Sequence, residues 1–355
     1  NGGLGGAGGG VSISTGSDKY TVSDNFVCGN FTTGDGGGIG HIGFSDKGQI
    51  LHNRIEFNQS FNQAVTVSGG GVFIGGEPVV VEFVELDNPN VLSDGSGTVT
   101  VQWNHIRGNH AGAGHGGGIR TQFVNGADIV NSINPINGNA RPGQWNRLDI
   151  LDNVIVNNVS GWSGGAISLK DTARSFIERN TIAHNDSTAT VGALIVNNLS
   201  AKQVAGIATE AHSAALTAAI PVRNNTIGLR EFSNPTMLDN DLWENRSFHY
   251  DAADGTSKLV PVLEQGTVGE CLAAMYWNLD PLLGGALTST ATTQPGSITN
   301  PYCNGGRTLA TPPGPMFALP ALDEGGNAWI DVRYGPLTRA WPEGSAPWSY
   351  EVTTP

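Results

Sequence analysis

The chain has 355 residues, of which 51 are glycine, and it carries 18 lysines and arginines against 31 aspartates and glutamates. Glycine at this level without a Gly-X-Y period excludes collagen, and 38% apolar residues favours a folded chain over a disordered one. A net charge of −13 without a basic cluster disfavours nucleic acid and anionic membranes as partners, because both are recognised through positive charge. No apolar run of about 20 residues occurs, so we expect no transmembrane segment.

The chain opens on Asn1-Gly-Gly-Leu, with neither an initiator methionine nor a basic-then-apolar leader. This start predicts a processed or trimmed chain and favours a secreted or cell-surface location. The first glycine triplet, Gly8-Gly9-Gly10, follows too few residues for a capping helix to precede it. We therefore expect other protein, or further coils of the same kind, to cover the N-terminal end.

A short motif, Asn-x-apolar-x-x-Asn, recurs between residues 25 and 245. Another apolar residue stands three positions before each first asparagine, so each copy predicts a short strand that runs into an asparagine turn. We expect the carboxamides at this turn to form a structural ladder, each bonded to the turns above and below. The first asparagines of the copies are Asn25, Asn53, Asn104, Asn153, Asn180 and Asn240.

A second motif, a glycine triplet before a short apolar strand, alternates with the first. Gly-Gly-Gly copies begin at residues 8, 36, 69 and 116, and related copies read Gly164-Gly165-Ala166-Ile167 and Val191-Gly192-Ala193-Leu194. Such short units cannot bury an apolar face alone, so successive units must stack into a parallel β-helix. Stacking predicts two internal aliphatic ladders, Val22/Ile50/Val101/Ile150/Ile177 and Val27/Ile55/Ile106/Ile155/Ile182.

These motifs resemble the right-handed parallel β-helix, or pectin-lyase-like, superfamily over residues 8 to 245. The glycine motifs, together with Phe57-Asn58 and Phe61-Asn62, are similar to the repeats of polymorphic outer-membrane proteins and autotransporter passengers. The resemblance implies an all-β fold, a right-handed parallel β-helix of roughly seven to nine coils. It does not imply a single activity, because enzymes, adhesins and scaffolds share this fold.

Three insertions interrupt the repeat after the glycine strand, at residues 77–97, 124–147 and 199–219. The first predicts an added strand over 79–86, the second a loop and the Ala-rich third a helix. Insertions on one side of a solenoid often form its binding surface, although they could equally serve to cover an apolar face. The repeat fades after residue 245, so we predict a β-helix over 1–250 and a capping region with irregular loops and final strands over 251–355.

Period-2 alternation in the glycine strands predicts which side chains face outward beside these insertions. The predicted ligand-binding face consists of Phe73, Arg120, Gln122, Ser168, Lys170 and Asn197. Pectate-lyase-like catalysis needs carboxylates that hold calcium, and glycosidases need a pair of Asp or Glu, but neither outward row contains a carboxylate. We therefore assign no catalytic residue. A divergent enzyme site would use Arg120, Lys170 and Asp171, with Glu82 or Glu85 reaching in from the first insertion.

Histidines 105, 110 and 115 match no metal-ligand spacing and fall on different parts of a coil, so we predict no metal site. We expect no cofactor; calcium at Asp152-Asn153 or Asp239-Asn240-Asp241 is a weaker alternative. Cys271 and Cys303 share a Gly/Pro-rich stretch and are candidates for a disulfide, which leaves Cys28 alone.

The sequence favours a secreted or cell-surface structural or adhesive scaffold that presents the insertion-decorated face to a partner, for which a polysaccharide is one candidate. The alternative is a carbohydrate-active enzyme, a polysaccharide lyase, hydrolase or epimerase, on the same face. Two or more carboxylates beside Arg120 or Lys170 would favour the enzyme.

Overall fold

The computed structural model describes residues 7–76, 91–222, 227–262 and 279–282. In these residues, short strands build four mainly parallel sheets, and the chain visits sheets 1, 2, 3 and 4 in turn before it returns to sheet 1. Equivalent strands of successive turns pair in parallel and in register. This architecture confirms the prediction of a mostly β fold with stacked parallel sheets, and it is compatible with a parallel β-helix.

Each sheet collects one strand from each turn of the chain. Sheet 1 contains Val11–Ser14, Ile39–Ile42, Val72–Gly75, Ile119–Gln122, Ile167–Lys170, Ile207–Glu210 and Leu279–Leu282. Sheet 2 contains Thr21–Ser23, Gly48–Leu51, Val99–Gln102, Leu148–Leu151, Ser175–Glu178 and Thr236–Leu238. Sheet 3 contains Phe26–Cys28, Arg54–Glu56, His105–Arg107, Val154–Val156, Thr181–Ala183 and Asp241–Trp243. Sheet 4 contains the parallel strands Phe31–Thr32, Gln59–Ser60, His110–Ala111, Val159–Ser160, Asp186–Ser187 and Arg246–Asp251.

Sheet 4 ends in antiparallel pairs. Arg246–Asp251 pairs with Lys258–Pro261 and with Leu199–Ser200, which in turn pairs with Ile195–Val196. The last strand of sheet 1, Leu279–Leu282, pairs in parallel with Ile207–Glu210. Cys271 and Cys303, and most of the predicted capping region, lie outside the described residues.

The interior of the stack is aliphatic, and both predicted ladders are confirmed. Val22, Ile50, Val101, Ile150 and Ile177 pair in register in sheet 2, and Met237 continues the row. Val27, Ile55, Ile106, Ile155 and Ile182 do the same in sheet 3, followed by Leu242. These rows belong to one continuous core, and the isoleucines in both rows are fully buried.

Asparagine carboxamides connect successive turns at both corners of sheet 3. At the corner between sheets 2 and 3, each Nδ2 donates to Oδ1 of the next asparagine at 2.9–3.1 Å, from Asn25 through Asn53, Asn104, Asn153 and Asn180 to Asn240. A second row with the same geometry runs through Asn30, Asn58, Asn109, Asn158, Asn185 and Asn245. The amides therefore replace water as hydrogen-bond partners inside the stack.

The glycine triplets have a steric function at the entry to sheet 1. The first glycine of each has a positive φ, for example 72° at Gly36 and 66° at Gly116, which L side chains rarely adopt. The middle glycine approaches the next turn so closely that a Cβ on Gly37 would lie 2.3 Å from the carbonyl oxygen of Gly70. A side chain at that position would force successive turns apart.

The three insertions pack together beside sheet 2. The described helices are Ala127–Asn131, Ala214–Ala219 and Ile227–Glu231, with 3-10 turns at Pro142–Gln144 and Gly192–Leu194. Leu92 of the first insertion, Ile129 and Trp145 of the second, and Leu216 and Ile220 of the third share an apolar cluster separate from the main core. None of the described helices has the length and apolar character needed to cross a bilayer.

The structure corrects the last glycine motif. Val191–Leu194 does not lead into sheet 1; it precedes the hairpin strand Ile195–Val196. The segment that pairs with Ile167–Lys170 is instead Ile207–Glu210, preceded by Ala205-Gly206. The third insertion consequently lies at 211–235 rather than 199–219, and its predicted helix is limited to Ala214–Ala219. The first insertion is described only from residue 91, so its predicted strand lies outside the described residues.

Candidate functional site

An open cleft of about 640 Å3 lies on the outer face of sheet 1, beside the corner where sheet 4 leads into sheet 1. It therefore adjoins the corner opposite to the insertions, and the described parts of the insertions contribute none of its lining residues. The lining residues are Asp35, Thr66, Ser68, His115, Arg120, Gln122, Trp162, Lys170, Gln203 and Glu210.

A buried ion pair forms the floor of the cleft. Arg120, in the middle of its sheet-1 strand, bonds through Nη1 to the Glu210 carboxylate and at 2.6 Å to Ser168 Oγ. The Arg120 side chain is only 3% exposed. Burial raises the pKa of the Glu210 carboxyl, but the nearby charges, of which Arg120 is the strongest, and the hydrogen bond from Arg120 together hold the pKa at about 2. The pair is thus fully ionised at neutral pH.

His115 and Trp162 form an adjoining wall of the cleft. Their rings stack with centroids 4.6 Å apart and planes 22° apart. His115 Nδ1 lies 2.7 Å from Ser163 Oγ and 3.6 Å from Glu210 Oε1. Burial lowers the pKa of His115 to about 3, so the imidazole is neutral and the stacked pair is held in one orientation.

Lys170 supplies the remaining cation of the cleft. It ends the sheet-1 strand next to Glu210, and its Nζ lies 5.9 Å from the centre of the Phe123 ring. In the described part of the chain Lys170 forms no salt bridge with a carboxylate. Its charge also acts on the Glu210 carboxylate, but Glu210 forms its salt bridge with Arg120, so the Lys170 ammonium can still contact a ligand.

The structure brings together most, but not all, of the predicted face. Arg120, Gln122 and Lys170 line the cleft, and Ser168 lies beneath Arg120. Phe73 occupies the predicted row, next to Arg120, but it is only 6% exposed and so offers little surface to a ligand. Asn197 was misplaced: it lies in the turn of the hairpin between Ile195–Val196 and Leu199–Ser200, away from sheet 1. The cause is the shift in the last glycine motif.

Asp171 does not belong to the cleft. It follows Lys170 in the left-handed region with φ of 47°, which turns its side chain toward the insertion corner. There its carboxylate accepts a hydrogen bond from the backbone N–H of Ser213 at 2.7 Å and lies 3.4 Å from His212 Nδ1. Glu82 and Glu85, the other predicted carboxylates, lie outside the described residues.

Glu210 was missed by the sequence analysis, which found no carboxylate in either outward row. In the structure it occupies the row position assigned to Asn197, next to Lys170 and Gln122. One signal could have revealed it: Val204-Ala205-Gly206-Ile207 resembles the Gly164-Gly165-Ala166-Ile167 motif, with alanine and glycine interchanged. The sequence similarity alone does not show that residues 207–210 form the next strand of sheet 1. Their pairing with Ile167–Lys170 shows it.

Metal binding has no support in the described residues, where no cluster of three or more His, Cys, Asp or Glu side chains is placed to hold an ion. Asp152, one of the calcium candidates, instead accepts hydrogen bonds from Arg179 at 2.7 and 3.0 Å. Asn153 and Asn240, the neighbouring candidates, belong to the asparagine ladder.

Among the described lining residues, the Glu210 carboxyl is not suited to donate a proton at neutral pH. A glycosidase requires one protonated carboxyl, yet the pKa of Glu210 is about 2. A Ser-His-Glu triad is also excluded for these residues, because Ser163 and Glu210 both approach the same nitrogen of His115.

Comparisons with models of known protein families, with curated proteins and with solved structures found no match to this chain. The site must therefore be interpreted from its own geometry.

Proposed function

We propose that this protein is a secreted or cell-surface scaffold that binds an extended saccharide, uncharged or weakly acidic, in the sheet-1 cleft. The observation that carries the proposal is the indole of Trp162, stacked on His115 in a cleft that also offers the ammonium of Lys170. An aromatic side chain that is apolar on its face suits the C–H surface of a sugar ring.

The polar lining fits a ligand rich in hydroxyl groups. Thr66 and Ser68 contribute hydroxyls, and Gln122 and Gln203 contribute carboxamides, which both donate and accept hydrogen bonds. Lys170 and Asp35 give the cleft one cation and one anion besides the closed Arg120–Glu210 pair. With a chain charge of −13, this balance favours a neutral or sparsely charged saccharide over a dense polyanion.

For the fold, we propose a more specific description than stacked parallel sheets. It is a right-handed parallel β-helix of roughly seven to nine coils, of the kind seen in pectin-lyase-like and autotransporter-passenger proteins. The near-universal right-handedness of parallel crossovers supports the hand, and the length of sheet 1 supports the coil number. Such a stack offers a long, regular face along which an extended chain can lie.

Calorimetric titration with oligosaccharides of about four to six units tests the proposal, using an uncharged and a uronic-acid-containing series. We expect a dissociation constant of about 0.1 mM for the best series, and Trp162→Ala should weaken it by about tenfold, corresponding to about 1.4 kcal/mol. Trp103→Ala is the matched control, because Trp103 stacks on His52 outside the cleft. Equal losses in the two variants, or no binding in either series, would contradict the proposal.

Binding should occur without turnover. Incubation with uronate polymers in the presence of calcium should release no unsaturated product, because the Glu210 carboxylate beside Lys170 is held in an ion pair with Arg120. Release of such products by the parent protein, with loss in Arg120→Met or Lys170→Met, would replace the scaffold proposal with a polysaccharide lyase.

A further inference from the structure

The imidazole of His115, on the wall of the sheet-1 cleft, has one nitrogen that is engaged by the protein and one that is open. Nδ1 lies 2.7 Å from Ser163 Oγ and 3.6 Å from Glu210 Oε1. Nε2 forms no hydrogen bond with the described residues and is not fully buried, and 10% of the His115 side chain is exposed. Because His115 lines the cleft, a ligand in the cleft can reach Nε2.

The surroundings of Nδ1 decide which nitrogen carries the proton. The Ser163 hydroxyl can donate or accept, so it is compatible with either tautomer. The Glu210 carboxylate only accepts, because it is ionised, and its charge is the strongest of those acting on His115. A proton on Nδ1 is attracted to this negative charge, whereas a lone pair there would be repelled by it. The Nδ1–H tautomer is therefore favoured, which leaves the lone pair on Nε2.

The position of this lone pair is fixed by contacts around His115. The ring stacks on Trp162 with centroids 4.6 Å apart, and the backbone N–H of His115 donates to Ser68 Oγ at 3.2 Å. Burial lowers the pKa of His115 to about 3, so Nε2 stays unprotonated at neutral pH. The cleft thus holds an oriented hydrogen-bond acceptor beside the aromatic surface of Trp162.

We propose that His115 Nε2 accepts a hydrogen bond from a ligand hydroxyl, so that the cleft selects saccharides with a free hydroxyl next to the sugar ring that stacks on Trp162. This inference rests on the proposed function and narrows its ligand class. A saccharide that is O-methylated at this position keeps the ring and loses the donor. A site that leaves a polar group unpaired rejects such an analogue. The Lys170 ammonium cannot replace His115 in this role, because it only donates.

Histidine 15N NMR of the full chain at neutral pH tests the tautomer in the free protein. His115→Phe identifies the two His115 nitrogen signals by their loss, and Ser163→Ala identifies them by their shift if the first variant folds poorly. We expect a protonated Nδ1, with Nε2 at the low-field position of an unprotonated nitrogen. A protonated Nε2 would overturn the inference, because the ring would then offer the ligand a donor.

Titration with tetrasaccharides of glucose, xylose and galacturonic acid tests the ligand contact in the same spectra. A tetrasaccharide that binds should move the Nε2 signal upfield, and its O-methylated form should bind at least about tenfold more weakly. His115→Phe keeps an aromatic ring against Trp162 but removes the acceptor. It should weaken binding of the free tetrasaccharide by about tenfold and lose most of the discrimination against the methylated form.

His52→Phe is the matched control, because His52 stacks on Trp103 with centroids 4.6 Å apart and planes 24° apart outside the cleft. It should leave saccharide affinity unchanged. If a tetrasaccharide binds but Nε2 does not shift, or if His115→Phe binds as tightly as His52→Phe, the role of His115 is overturned and the saccharide proposal stands. If none of the tetrasaccharides binds the parent protein, both are overturned. The Nε2 signal of the parent protein decides the matter even if His115→Phe does not fold.

Discussion

The corners on either side of sheet 3 differ sharply from those on either side of sheet 1. Every described connection from sheet 2 to sheet 3, and from sheet 3 to sheet 4, has two residues, of which the second is a ladder asparagine. Connections from sheet 1 to sheet 2 range from four residues after Lys170 to 25 after Gln122 and after Glu210. The asparagine ladders thus fix the length of the connections on either side of sheet 3. The sheet-1 cleft and a smaller cavity beside Trp145 both lie next to corners that have no such ladder.

The fixed corners also tolerate backbone strain. The residue before each ladder asparagine adopts a positive φ, even where that residue has a large side chain. Examples are His52 with 54°, Trp103 with 57° and Arg179 with 54°. Such a conformation costs about 1 kcal/mol or more for a residue other than glycine. The hydrogen bonds of the adjoining asparagine keep the turn in this conformation, so residue identity at that position is free to vary.

The largest expected effect comes from a charge in the shared core. Ile155→Asp should abolish cooperative folding, because an isolated carboxylate in the fully buried row costs several kcal/mol or more. Circular dichroism melts would measure it, with Gln49→Asp on the exposed face of sheet 2 as the control. A cooperative melt within about 3 °C of the parent would refute the inward assignment of Ile155.

Breaking the ladder in its middle should cost more than removing its first member. Asn104→Ala leaves the backbone and side-chain donors of Asn53 and the carbonyl of Ile50 without their partner, and we expect a loss of about 3 kcal/mol. Asn25→Ala should cost about 1 kcal/mol, because Asn25 accepts no ladder bond from a described turn. Urea denaturation of both variants measures the difference, and equal losses would show that the ladder does not act through its length.

In the cleft, Arg120→Met should destabilise the protein by about 2 kcal/mol, because the Glu210 carboxylate loses its partner. The Glu210 pKa should rise from about 2, since the strongest of the charges that oppose burial would be removed. Carbon-13 NMR of the carboxyl reports the pKa. The double variant Arg120→Met/Glu210→Met should recover most of the stability, and failure to recover would mean that Arg120 acts mainly through Ser168.

Stability should fall below about pH 6.5 because of buried histidines such as His41 in sheet 1. Burial lowers the pKa of His41 in the folded state, while Tyr20 Oη at 2.8 Å and the carbonyls of Gly43 and Ser96 bind its ring nitrogens. A depressed histidine pKa stabilises the fold fully above the unfolded value of about 6.5, and this stability is lost as the pH falls below it. His41→Gln should reduce the slope by up to about 1.4 kcal/mol per pH unit. Denaturation at pH 7.5 and 5.5 checks this, and an unchanged slope would contradict it.

The smallest effect is expected in the second insertion. Residues 134–139 form an exposed turn closed by the Asn134–Asn139 backbone hydrogen bond of 2.9 Å. Replacing 135–138 by Gly-Gly should cost less than about 1 kcal/mol, because loop closure depends only weakly on length. Adding Gly-Gly after Asn157, at a two-residue corner, should cost at least about 3 kcal/mol by interrupting the ladder. Thermal melts compare the two, and similar losses would remove the distinction between the corners.

Periodicity predicted the regular parts because each turn repeats the same local requirements. Isoleucine and valine at the inner positions and asparagine at the corners recur at a spacing that only a stack of short strands explains, and pairing places them in register. The prediction of the last sheet-1 strand failed because a different sequence makes the tight entry into sheet 1 at that turn. Ala205-Gly206 enters sheet 1 as Gly165-Ala166 does, although Val191-Gly192-Ala193 is the closer match to the glycine pattern.

The sequence by itself determined the stacked parallel architecture, its aliphatic ladders and the corner that accepts insertions, because these follow from residue types repeated along one chain. Tertiary structure decided which carboxylate faces Arg120, that the cleft lies opposite to the insertions, and that two insertions leave a cavity around Trp145 and Asn234. Each of these depends on side chains from segments of irregular length, whose positions are set by contacts between turns rather than by any local period.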